Sequence, residues 1–190
     1  MNPIVETLAR IMTGLVRLQR RELMASLGAG KSPKQVRSLL TGSMLPESES
    51  LEALYSWKNG TKTALISLDD SHLLPGFYLL SLEDALHNYR AFVADSRWRQ
   101  GWLPIFANGG GDFYVVDFCS EPSGAVRHFK IEETEHPVEF KSLDDMLTTV
   151  ATAFDREVIF VDAAGYLEMD DAAFAAVAAK FNPDVSWWRD

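Results

Sequence analysis

The stretch WLPIFANGGGDFYVVDF, Trp102 to Phe118, constrains the fold more than any other part of the chain. Two runs rich in aromatic and β-branched residues flank Asn-Gly-Gly-Gly-Asp, and so short a connection between strands permits only an antiparallel hairpin. Glycine-rich loops that cradle phosphate lead instead into a helix N-terminus, whose free N–H groups receive the anion. Here Phe113, Tyr114, Val115 and Val116 continue as a strand, and no Lys or Arg lies between Trp102 and Phe118 to neutralise a phosphate. Glycines 109 to 111 are therefore expected to supply positive φ angles, with Asp112 bonding local backbone N–H groups.

The hairpin sits in a series of similar signals. AVRHFKI and Val138 to Phe140 read as further strands, Phe77 to Leu80 as a short one before them, and EVIFVDAAGYLEMD as a second hairpin turned at Ala163 to Gly165. Helices surround them. Ile4, Leu8, Ile11, Met12, Leu15, Leu18, Leu23 and Leu27 recur at spacings of three and four, which predicts one helix ending near Gly28. Ser32 and Pro33 open a second over Pro33 to Leu40, and a third over Glu47 to Lys58 is closed by Asn59-Gly60, with Gly60 left-handed. Ser81 with Asp84, and Ser142 with Asp145, open two more, and an Ala-rich helix is stopped by Asn182-Pro183. Strictly alternating βα units are missing, so the class is α+β. Asp84, Asp144, Asp145, Asp170 and Asp171 all fall in first turns, where the helix dipole favours them; neighbours on one helix do not face each other as a catalytic pair must.

With 190 residues the chain can fill one core. It has no apolar run near the roughly 18 residues of a membrane span, and Arg10, Arg17, Arg20 and Arg21 interrupt any secretory signal, which places it in the cytoplasm. Charge is segregated. Residues 1–40 hold seven Lys or Arg against two Glu, a balance of +5, so the net −9 leaves residues 41–190 at −14. Such a body repels nucleic acid and favours basic partners. The arginine face of residues 4 to 27 either meets solvent and the acidic body or contacts an anionic membrane.

Other candidate sites fall short of a chemistry. GAGKSP, Gly28 to Pro33, has Ala25 where a phosphate loop needs glycine and follows a helix rather than a strand, so it reads as a linker. The single Cys119 excludes an internal disulfide and reads as a buried strand thiol; with His128 it lacks the fixed spacing of a nucleophile and base. His136, beside Glu133 and Glu135, reads as part of a solvated loop. No catalytic, metal or cofactor residue is assigned. Trp187-Trp188 either folds back or offers an exposed anchor.

Taken in order, the Leu-Pro helix closing at Asn59-Gly60, LLPGFYLLSLEDAL, WLPIFANGGGDFYVVDF, GAVRHFKIEET, SLDDMLTTV, VIFVDAAGYLEMD and KFNPD resemble the SUKH superfamily, in its branch related to a yeast cell-wall assembly regulator. The likeness runs from about Pro46 to Pro183 and departs at the Ala163-Ala164 turn, where members often carry an acidic residue. It implies a mainly antiparallel sheet of about five or six strands wrapped by helices, without an active site. Residues 1–40 would be an N-terminal helical segment and 41–190 the SUKH-like domain. The resemblance further implies an immunity protein that binds and neutralises a toxin; an acidic, aromatic-containing contact surface then makes a basic toxin domain the expected partner and Asp112, Glu132, Glu133, Glu135, Trp187 and Trp188 the expected contact residues. A regulatory scaffold binding several proteins is the alternative, and an enzyme would need a polar pocket around Asp112, Cys119 and His128.

Overall fold

The computed structural model describes residues 3–121 and 123–189. Along the chain run α1 (Pro3–Arg17), α2 (Arg21–Ser26), β1 (Leu27–Ala29), α3 (Pro33–Gly42), α4 (Glu49–Trp57), β2 (Lys58–Thr61), β3 (Tyr78–Leu79), α5 (Leu82–Phe92) and β4 (Trp102–Ala107). They are followed by β5 (Phe113–Asp117), β6 (Ala125–Phe129), β7 (Val138–Phe140), α6 (Leu143–Asp155), β8 (Ile159–Val161), β9 (Leu167–Met169) and α7 (Asp171–Phe181). Strands β3 to β7 form one antiparallel sheet in sequence order, while β1 pairs with β2 and β8 with β9 as separate two-stranded ribbons. The architecture is α+β, as the strand and helix signals predict.

Pairing of Phe113 with Phe129, Tyr114 with His128 and Val115 with Arg127 sends alternate side chains to opposite faces of the sheet. Phe92 of α5 and Trp98 cover one face, their rings 5.2 and 6.1 Å from Phe113 and 5.7 and 4.9 Å from Phe129. Helix α6 packs on β6 and β7 and carries α1 on its outer side. Leu8, Ile11 and Leu15 of α1 are each at most 1% exposed, and burying each side chain contributes about 1.5–3 kcal/mol. The apolar core is continuous from Ile4 to Ala178.

The helix openings are set by local chemistry. The hydroxyls of Ser32, Ser48, Ser81 and Ser142 accept from the backbone N–H three residues on, and Asp170 caps α7 in the same way. Ser81 and Ser142 also donate to Asp84 and Asp145, at 2.6 and 2.5 Å. These bonds satisfy donors that the first turn of a helix leaves unpaired.

Several expectations need correction. The single helix over residues 4 to 27 is two helices, broken where Gln19 takes φ 56°; the turn draws Arg20 inward, 7% exposed. Its guanidinium donates to the carbonyls of Asp69 (2.9 Å) and Gly165 (3.2 Å), tying α2 to the β8–β9 hairpin. The expected linker at Gly28 to Pro33 overlaps β1, in which Leu27 pairs with Thr61 and Ala29 with Lys58. Asn59-Gly60 accordingly lies inside β2 rather than ending a helix. Gly60 does have φ +81°, but the tighter demand is space, since a Cβ there would sit 2.3 Å from the Ser81 nitrogen. Helix α4 begins at Glu49, two residues after the expected start, because Ser48 is its cap. Cys119 is exposed and lies beyond the end of β5. His136, expected in a solvated loop, is 8% exposed and packs against Phe129 and Trp102, with ring centroids 4.4 and 5.8 Å away.

Candidate functional site

The β4–β5 connection answers the question posed by the glycines. Gly109 and Gly111 have φ of 81° and 106°, and the Asn108 carbonyl oxygen, Oδ1, accepts from the backbone N–H of Gly110 (2.7 Å) and Asp112 (3.1 Å). Asn108, not Asp112, therefore bonds the local backbone. Asp112 uses its carboxylate elsewhere: Oδ2 accepts from Asn108 Nδ2 at 2.8 Å, and Oδ1 accepts from the Ile131 N–H at 2.9 Å. The turn thus anchors the loop that follows β6. Arg97 grips the same loop by donating to the Ile131 carbonyl, while its guanidinium binds Asp95 and lies 5.9 Å from the Phe129 ring centre. Hydrogen bonds from Arg97 hold the Asp95 carboxyl down at about 2.

From that anchored base the loop presents Glu132, Glu133 and Glu135 to solvent. Lys130 pairs with Glu133 at 3.1 Å and lies 6.0 Å above Trp187, close enough for a cation–π attraction. Glu132 and Glu135 form no ion pair among the described residues. Trp187 is 45% exposed, whereas Trp188 folds back: its indole N–H donates to the Glu139 carbonyl and its ring packs on Phe140 and Phe174. Asn182 Oδ1 accepts from the Lys141 N–H at 2.9 Å. The Glu139 carbonyl of β7 and the Lys141 N–H just beyond it are thereby occupied by the C-terminal segment, which protects a sheet edge from pairing with another chain. A groove of about 750 Å³ lies beside it, lined by Arg127, Val138, Val185 and Trp187 among others. All six residues expected to meet a partner are linked to this one end of the sheet, Asp112 and Trp188 as supports and the other four as exposed groups.

A polar trio built around the buried Glu139 escapes sequence reasoning. Tyr114 donates to Glu139 Oε2 at 3.1 Å, His128 Nδ1 lies 3.0 Å from Glu139 Oε1, and the Tyr114 and His128 rings stack at 4.7 Å. Glu139 is 3% exposed at an irregularity in the β6–β7 pairing. Burial and the neighbouring Glu139 push the Tyr114 hydroxyl well up. The space beside Tyr114 is only about 30 Å³, too small for an organic substrate. A polar residue inside the Val138–Phe140 strand was the one available signal, and it does not reveal its partners.

On the opposite face, Asp117 is fully buried. Its carboxylate accepts from Arg127 Nε (2.6 Å) and from the N–H groups of Cys119 (2.9 Å) and Ser120 (3.0 Å). Burial alone would raise its pKa, but Arg127 and these neighbours hold it well below the usual carboxylate range. Cys119 Sγ donates to the same carboxylate at 3.1 Å, and partial desolvation together with that contact pushes the thiol up, the wrong direction for a nucleophile. His128 is not its base, since it pairs with Tyr114, five residues before Cys119, and is engaged by Glu139. The His136 imidazole is shifted down by burial and by Arg97. Among the described residues, no group of three or more His, Cys, Asp or Glu is placed to hold a metal ion. No helix among them is long and apolar enough to cross a membrane.

The basic N-terminal segment is bound to the acidic body. Arg10 donates to Asp155 through two nitrogens, at 2.7 and 2.9 Å, and Arg17 donates to the Phe154 carbonyl. Lys31 pairs with Glu83 and Arg37 with Glu52.

Comparison with known proteins adds one match. Residues 44–149, more than half of the chain, fit the profile of the SMI1 / KNR4 family (SUKH-1). The matched span takes in β3 to β7, Asp112 and the three loop glutamates; Trp187 and Trp188 lie outside it. No curated protein matches the chain.

Proposed function

The chain belongs to the SMI1 / KNR4 family (SUKH-1), and on that footing we propose that it is a cytoplasmic, non-enzymatic immunity protein that covers a basic toxin domain. The family includes immunity proteins and cell-wall regulators, and its members act in general through protein–protein contacts. The observation that carries the reading is the joining of Glu132, Glu133, Glu135 and Trp187 at one end of the sheet. There an aromatic anchor stands beside carboxylates held on an anchored loop. Tryptophan is favoured at the centres of interfaces, and carboxylates around it would steer a cationic surface into place. The charge of −14 over residues 41–190 acts in the same direction over longer range.

Co-expression tests this reading. A toxin encoded beside this chain is produced with and without it, and growth and complex formation are followed. Wild type should restore growth and co-purify with the toxin, and the triple variant Glu132→Lys, Glu133→Lys, Glu135→Lys should lose both while keeping its circular dichroism spectrum. Full protection by the triple variant would remove this surface from the account, and turnover of a small substrate by the purified chain would end it.

A further inference from the structure

A second groove lies outside the surface just described, framed by α1, α3 and α4, with a volume of about 800 Å³. Its apolar lining includes Val5, Pro33, Ala53 and Trp57; Val5 is 47% exposed and Trp57 is half-buried. Among its described lining residues, Glu47, Glu49 and Glu52 stand against one cation, Arg37, which is already paired with Glu52. Two of these carboxylates, Glu49 and Glu52, also serve the first turn of α4. That local role does not account for the apolar side chains left open between them and α1.

We propose that this groove docks a short basic segment of a partner protein, with an apolar side chain laid on Trp57 and Val5 and lysines or arginines facing Glu47 and Glu49. The charge of the lining selects the occupant. With Glu52 and Arg37 paired to each other, the carboxylates of Glu47 and Glu49 are left to favour a cation and penalise an acidic peptide. Helices α1, α3 and α4 give the geometry in which an amphipathic segment lays its apolar side into a groove between helices. The proposal does not depend on what the β6–β7 end binds, because the two surfaces share no lining residue.

The test uses the isotope-labelled full chain and three synthetic peptides, a short amphipathic Lys/Leu helix and counterparts with Glu or Gln in place of Lys. The Lys/Leu peptide should shift the amide signals of Val5 and Ser56 and the Trp57 indole, and its affinity should fall about tenfold between roughly 0.05 and 0.5 M salt. Glu47→Lys with Glu49→Lys should weaken it by at least about tenfold, and the milder Glu47→Gln with Glu49→Gln by an intermediate factor. The Glu132→Lys, Glu133→Lys, Glu135→Lys variant should bind it like wild type. Shifts confined to the β6–β7 loop, equal binding of the Glu/Leu peptide, or unchanged affinity in both α4 variants would overturn the proposal. Failure here leaves the toxin co-expression result unaffected, so the two readings fall separately.

Discussion

Asp117 shows how much one residue can hold. Its carboxylate closes the turn after β5 and fixes Arg127, whose other bond runs to the His136 carbonyl at 3.0 Å. Asp117→Asn removes the charge from this network and should cost about 2 kcal/mol, within the range for hydrogen bonds to charged groups. The native pKa is depressed, so the stabilisation is present above the unfolded value of about 3.9 and is lost as pH falls below it. Urea unfolding at neutral pH and near pH 3 checks this: the gap between wild type and variant should narrow in acid, and a constant gap would show that the charge does not matter. His136 adds to the acid sensitivity. Its pKa is lowered by burial, so the unfolded chain takes up its proton first as pH drops below about 6.5. None of this was legible in the sequence, because the burial of Asp117, His136, Glu139 and Arg20 depends on how neighbouring strands and loops pack around them.

Elements whose signals are local were legible. Serine caps three residues before an acidic or amide group, and Gly-rich turns between β-branched runs, act within a few residues, so the openings of α3, α5 and α6 and the β4–β5 hairpin follow from spacing alone. Where an element depends on distant pairing, spacing fails: β1 and β2 find each other across about thirty residues, and the break at Gln19 serves contacts with Asp69 and Gly165. The α1–α6 interface depends on Gly14, where a Cβ would lie 2.6 Å from the Phe154 ring. Gly14→Ala would gain about 1 kcal/mol in helix propensity, yet overpacking costs about 1–3 kcal/mol, so the midpoint of thermal unfolding should fall. A raised midpoint would mean that Phe154 moves aside freely.

At the scale of the whole molecule, the sequence-level segregation of charge becomes an internal match. Arg10, Arg17, Arg20, Lys31 and Arg37 each lie within 4 Å of a carboxylate from residues 41–190. Five of the seven cations in the first forty residues are thereby engaged within the chain, which argues against a free basic face reserved for a membrane. The expected six contact residues came from charge and composition, and only folding shows that Asp112 and Trp188 support the surface rather than project from it. What remains exposed is an acidic surface with an aromatic anchor, and its role is best judged by how binding responds to ionic strength. Calorimetric titration of the chain with a toxin that co-purifies in the proposed co-expression test should show affinity weakening at least about tenfold between roughly 0.05 and 0.5 M salt. An affinity that holds constant across that range would contradict the claim that this protein recognises its partner through its negative surface.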